Sequence, residues 1–166
     1  WKPLALAASH IIACDGAARQ CLEQNLSIDT VIGDMDSISE EVQGKILQQY
    51  TPQFIHQGGQ GNNDLVKAIK WSIGQGAEHR EIICIEGGEL AHQFAAILAL
   101  CEVPSNTSLH TSKSTIELIA ESGYENDSIE KSTSFSLFSI GAAEGVTITG
   151  AKWDLDNEVL QPGTQG

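Results

Sequence analysis

Four aspartates stand where strand-like segments give way to polar chain. The stretch "VIGDMDSIS", residues 31 to 39, places Asp34 and Asp36 two apart with Ser37 next. In an extended chain, residues two apart share a face. Carboxylates held that close repel each other unless a cation joins them. Asp15 directly follows the apolar run "IIAC", and Asp64 opens a helical pattern at "NND". A polar turn or a helix cap accounts for each of these residues taken singly. Four carboxylates near one sheet edge point instead to a shared divalent cation bound through oxygen.

The elements that must position them alternate in type. "IIAC" (11–14), "TVIGD" (30–34) and "EIICIEGG" (81–88) read as short buried strands. Between and after them lie helical patterns. "DGAARQCLEQN" puts Ala18, Cys21 and Leu22 on one face, and "NNDLVKAIKWSIGQG" stacks Leu65, Ile69 and Ile73. "SISEEVQGKILQQY" begins with Ser37 and Glu40 at capping-box spacing, and "LAHQFAAILALC" is a strongly apolar helix. Strands alternating with helices imply a parallel sheet with helices on its faces, and in such sheets ligands bind at the carboxyl ends of the strands. Asp15 and the Asp34–Asp36 pair fall at such ends. "GGQG" at 58–61 and the pair Gly87–Gly88 would let backbone amides approach a phosphate, although no G-x-x-x-x-G-K-[ST] loop is present.

The pattern changes near Pro104. "SLHTS", "TIELIAES", "SFSLFSI", "GVTITG" and "WDLDNEVL" are short, β-branched and broken by Gly, Asn and Ser. The expected architecture is α/β: a Rossmann-like parallel-sheet domain over residues 1–104, then a small antiparallel β-sandwich over 105–166.

Composition narrows the partners. The 166 residues carry a formal charge of −13 with nine Lys plus Arg, which argues against nucleic acid. No apolar run approaches the roughly 20 residues that cross a bilayer, so no membrane partner is expected. A phosphate-bearing ligand would have to meet this acidic surface through a metal. The four cysteines form no C-x-x-C pair and read as free thiols, which points to a reducing, cytoplasmic setting. The five histidines are scattered, so zinc is not expected.

The chain resembles the thiamin pyrophosphokinase (thiamine diphosphokinase) family. "ACDGAARQ" is similar to the family's A-D-G-G-A-N segment, and "IGDMDSI" to its G-D-x-D-S-I segment, the most specific match. "QGNNDLVKAI" resembles Q-D-x-T-D-x-x-K-A, and "GGELAHQFAAI" resembles G-G-R-x-D-H-x-x-A-N. "SFSLFSIG", "VTITGAKWDLDNEVL" and "PGTQG" resemble the family's β-domain. The resemblance implies transfer of a diphosphate from ATP to the thiamin hydroxyl with release of AMP, using Mg²⁺, in a homodimer. It implies catalytic roles for Asp15, Asp34, Asp36 and Asp64, with Asp34, Asp36 and Asp64 as metal ligands. Ser37, Lys67 and His92 match nucleotide-binding positions; Gln60 and Trp153 match thiamin contacts. An aromatic face suits a cationic thiazolium.

Several family positions are altered. Ala17 replaces the second glycine of D-G-G, and Arg19 the asparagine. Gly61 and Asn63 replace the first acid and the threonine of Q-D-x-T-D. Glu89 replaces the arginine of G-G-R, and Ala91 the aspartate before His92. The family pattern also carries a first strand ahead of "LALAASHIIAC" and a thiamin-touching Ser-Asn pair after Gly166. Three functions follow as expectations: a thiamine diphosphokinase with weakened turnover, a diphosphokinase for another alcohol such as a pterin, or a non-catalytic thiamin- or nucleotide-binding relative.

Overall fold

The computed structural model describes the chain apart from residues 60, 62, 104–105, 120–128 and 164–166. It forms two compact units, residues 1–122 and 123–166.

In the first unit, α1 (Lys2–Ala7) precedes β1 (Ile12–Cys14), a single 3-10 turn (Asp15–Ala17) and α2 (Ala18–Glu23). Then come β2 (Thr30–Gly33), α3 (Glu40–Gln49), β3 (Gln53–His56) and α4 (Asp64–Gly74). β1, β2 and β3 form a parallel sheet in that order. The register pairs Cys14 with Ile32, so the residues that follow, Asp15 and Gly33, leave the sheet side by side. β4 (Arg80–Ile82) leads to α5 (Leu90–Ala99), and β5 (Thr107–His110) pairs parallel with it. β6 (Thr115–Glu117) closes this second sheet antiparallel to β5.

"SLHTS" and "TIELI" therefore pair within the first unit, whereas the sequence reading began the β-domain at residue 105. Their β-branched composition signals strand, but composition does not say which sheet a strand joins. Only the long-range pairing of Ile82 with Leu109 decides that.

β2 is buried at all four positions, as a central parallel strand requires. Val31 joins Ile28, Ile38, Val42 and Ile46 in one core cluster, with Cys21 and Leu22 of α2 against it. Ile69 of α4 heads a second cluster with Ile82, Leu100 and Leu109, and Leu65 and Ile73 pack on it as the i, i+4 spacing predicts. Full burial of a side chain such as Ile46 contributes ~1.5–3 kcal/mol.

α3 is capped by Ser39, whose hydroxyl accepts from the Val42 N–H at 3.4 Å, with Glu40 and Glu41 in the first turn. The Ser37–Glu40 capping box read from the sequence does not form. Ser37 bonds Asp36 instead, and the helix starts two residues later. α4 is capped by Asn63, whose Oδ1 accepts from Val66 N–H at 2.8 Å. Asn63→Ala should lower stability by about 1 kcal/mol, read from urea unfolding, and should fray the turn that carries Asp64.

In the second unit, β7 (Ala143–Ile148) and β8 (Leu155–Leu160) form an antiparallel pair with register shifts on either side of Val146. Gly145 (φ +71°) and Asn157 (φ +55°) take left-handed backbones there, and bulges of this kind bend a ladder. "SFSLFSI", read as a strand, has no ladder assignment, and Phe135, Phe138 and Ile140 are exposed. The described residues of this unit thus form a small antiparallel sheet, as the sequence pattern predicts, with two strands in its ladder.

Candidate active site

Asp15 starts the 3-10 turn at the end of β1, and its side chain is buried at 3% exposure. Two backbone donors hold it: Gly16 N–H to Oδ1 at 2.6 Å and Met35 N–H to Oδ2 at 2.9 Å. The second bond crosses from β1 to the loop after β2. Asp34 and Asp36 are exposed on that loop. Asp36 N–H donates to Asp34 Oδ1 at 3.3 Å, and Ser37 Oγ donates to Asp36 Oδ1 at 2.9 Å. Asp15, Asp34 and Asp36 each offer an oxygen within 4.8 Å of the others.

Gly33 makes this approach possible. A Cβ at Gly33 would lie 2.5 Å from Asp15 Cγ and 2.6 and 2.8 Å from its oxygens. Gly33→Ala must therefore displace the Asp15 carboxylate and break its bond to Met35. We expect a loss of about 1–3 kcal/mol, the cost of overpacking, seen as a lower Tm, together with weakened cation binding.

The charges of the site are graded. Burial raises the pKa of Asp15, the Gly16 and Met35 N–H groups oppose the rise, and the nearby Asp64 and Asp34 charges add to it. Asp34 shifts down, chiefly because the Asp36 backbone and side chain bond its ionised form; the Lys67 charge and a hydrogen bond with Asp15 contribute. Lys67 is tethered by Asp64 Oδ1 at 2.8 Å and by the Gln57 carbonyl at 3.0 Å, just beyond β3. Its pKa is raised, first by the Asp64 bond. Asp64 is thus engaged by Lys67 and acts on Asp15 through space.

Three carboxylate oxygens close together suit a hard divalent cation that prefers oxygen, such as Mg²⁺, which commonly keeps several waters. The donor set fits that ion and contains no nitrogen or sulfur ligand.

Of the residues marked in the sequence, Asp15, Asp34, Asp36, Ser37, Asp64 and Lys67 thus gather around the ends of β1 and β2 and the start of α4. His92 is exposed on the first turn of α5, where its backbone N–H bonds Glu89 O at 3.0 Å; among the described residues no hydrogen bond joins it to this group. Gln60 lies outside the described residues. Trp153, in the second unit, is 76% exposed in the connection between β7 and β8. Lys152 Nζ lies 4.2 Å from its ring centroid. Sequence reading missed the roles of Met35 and of the Gln57 carbonyl. A backbone group leaves no signature in residue type, so neither was visible.

Residues 1–112 match the thiamin pyrophosphokinase catalytic domain, and residues 124–165 match the thiamin pyrophosphokinase vitamin B1 binding domain. The chain belongs to the thiamin pyrophosphokinase family. No curated protein matches it. Among solved structures it is similar to a thiamine pyrophosphokinase from Bacillus subtilis, at 21% identity and a TM-score of 0.78, over 98% of this chain and 78% of that one. A thiamin pyrophosphokinase family protein from Enterococcus faecalis gives 17% identity and a TM-score of 0.76, over 95% and 77%. The thiamin pyrophosphokinase of Candida albicans gives 18% and 0.52, over 64% and 51%. At these identities the likenesses establish the fold, an α/β unit followed by a small antiparallel sheet.

Proposed function

We propose that this thiamin pyrophosphokinase family chain is a thiamine diphosphokinase: it transfers the diphosphate of ATP to the thiamin hydroxyl and releases AMP. The observation that carries this reading is the Asp15–Asp34–Asp36 group at the ends of adjacent parallel strands, in a chain with both family domains.

The hydroxyl oxygen of thiamin attacks the β-phosphorus of ATP and gives up its proton to solvent. The bond from that phosphorus to the oxygen bridging toward the α-phosphate breaks, and AMP leaves. Such transfers depend on positioning and on charge neutralisation. Asp15, Asp34 and Asp36 would hold Mg²⁺; Asp64, expected from the sequence as a ligand, is tied to Lys67 and lies outside that group. The ion would offset the negative charge of the phosphates. Without it, a chain of net charge −13 would repel ATP. Lys67, fixed by Asp64 and Gln57, presents a positive charge to the same region. Ser37 orients Asp36. Trp153 is exposed, and the cationic thiazolium would stack on the ring face opposite Lys152 or displace that ammonium. His92 and Gln60 complete the proposed nucleotide and thiamin contacts.

We further propose a homodimer joined through the second unit. Phe135, Phe138, Ile140 and Val159 are exposed there, and a two-stranded sheet is marginal alone. Sedimentation at micromolar concentration should give about twice the 17.8 kDa chain mass; a monomer would refute it. The four cysteines are free, and burial pushes Cys14 up to about 12 and Cys21 to about 11, which disfavours their thiolates. Four unpaired cysteines support a reducing, cytoplasmic location. No helix among the described residues is long and apolar enough to cross a membrane.

The test is a comparison of alcohols. With Mg²⁺ and ATP, thiamin should elicit AMP release and a hydroxymethyl pterin should not. AMP release with the pterin alone would overturn the substrate assignment.

A further inference from the structure

We infer that Met35 is a positioning residue for this site: its left-handed backbone, fixed by a partly buried side chain packed against the core, aims the peptide N–H that holds Asp15 against Asp34 and Asp36. The inference rests on the reading of these carboxylates as a cation site.

Met35 has φ +67°. That region disfavours L-residues, and Gly, Asn and Asp are its usual occupants. Methionine has no polar group to bond the backbone locally, so nothing in its own chemistry favours this conformation. Its side chain instead packs against the cluster that contains Val31, Ile38, Val42 and Ile46. The apolar anchor opposes the backbone cost. In return, three features of the site depend on the turn. Met35 N–H reaches Asp15 Oδ2 at 2.9 Å, across from another strand. Asp36 N–H folds back on Asp34 Oδ1 at 3.3 Å. The three carboxylates come within 4.8 Å. Glycine at 35 would adopt the turn freely but lose the anchor. A β-branched residue would keep an apolar anchor but resist the turn.

Leucine and isoleucine have the same volume and differ in where they branch. They therefore separate backbone from packing. Mn²⁺ affinity, with and without ATP, would be measured by electron paramagnetic resonance well below each variant's Tm. Met35→Leu should bind within about twofold of the parent, and Met35→Ile about tenfold more weakly, the scale of the steric cost of a left-handed residue. Met35→Gly should have the lowest Tm of the three yet bind Mn²⁺ more tightly than Met35→Ile. That ordering is opposite to the one a merely structural role would give. Thiamin affinity, read by calorimetry, should be the same in all. Equal affinities for the leucine and isoleucine variants, or a glycine variant weaker than the isoleucine one, would overturn the inference. A parent that binds no Mn²⁺ even with ATP would instead overturn the reading of the site, and this inference with it.

Discussion

Asp15→Asn is expected to slow AMP release by about 10²–10³-fold, the scale of one lost preorganised electrostatic contact, while thiamin binding to the second unit is unchanged. Asparagine keeps the volume, but only one of its two terminal atoms accepts. Gly16 N–H at 2.6 Å and Met35 N–H at 2.9 Å now each find an acceptor; in the variant one of them would face an amide NH₂. A buried donor left unsatisfied costs about 1–3 kcal/mol. The site also loses a charge at its least solvated position. The pH dependence follows with a definite sign. Asp15 is raised in the folded chain, so the native state takes up a proton at higher pH than the unfolded chain does. Above that window Asp15 is charged and its burial disfavours the fold. Falling pH relieves this, so the metal-free protein gains stability as pH drops through the window. Cation affinity runs the other way, because a proton competes for the same oxygens. It should fall at a higher pH than an ordinary aspartate would dictate, and the Asp15→Asn protein should lose that step. Calorimetric Mg²⁺–ATP titrations across pH would read it, and an unchanged rate and pH profile in the variant would contradict the role given to Asp15.

The second large effect is a gain. Gly61→Asp, Glu89→Arg and Ala91→Asp together should raise turnover by about 10²-fold, with ATP and thiamin affinities changed far less. Charge builds on the bridging oxygen as AMP leaves, so a missing carboxylate or a reversed charge is felt there more than in the ground state. The fold tolerates all three. Nothing lies within 4 Å of a Cβ at Gly61. Glu89 caps α5 without a side-chain bond, and Ala91 is exposed in its first turn. An acid at 91 favours the helix N-terminus by about 0.3–1 kcal/mol, and arginine at 89 disfavours it by a similar amount. The triple variant should therefore unfold at nearly the parent's Tm. A parent that turns over faster than the triple variant would mean that these residues are adaptations.

The acidic site was legible in part. Asp34 and Asp36 stood out by spacing, and strand-end placement marked Asp15. The reason offered for the pair, two residues on one face of an extended chain, is not how they meet. β2 ends at Gly33, and the left-handed turn at Met35 with the Asp36–Asp34 bond brings them together. Backbone sign is invisible in a methionine. The same limit applies to the cap of α3: the sequence reading placed it at Ser37, and the structure places it at Ser39. The choice fell to Ser39 once Ser37 bonded Asp36. Helix faces were the most legible feature, since Leu65, Ile69 and Ile73 needed only period and burial. Sheet membership of residues 107–117 was the least, because strand pairing is settled by partners far along the chain.

The most direct measurement uses ATP labelled separately at the β- and γ-phosphorus, incubated with the protein, Mg²⁺ and thiamin. Transfer of an intact diphosphate puts both labels on thiamin in equal amounts, with one AMP formed per thiamin diphosphate. Label from the γ-position alone with ADP as co-product, or no label on thiamin from protein that binds both substrates, would contradict a diphosphokinase.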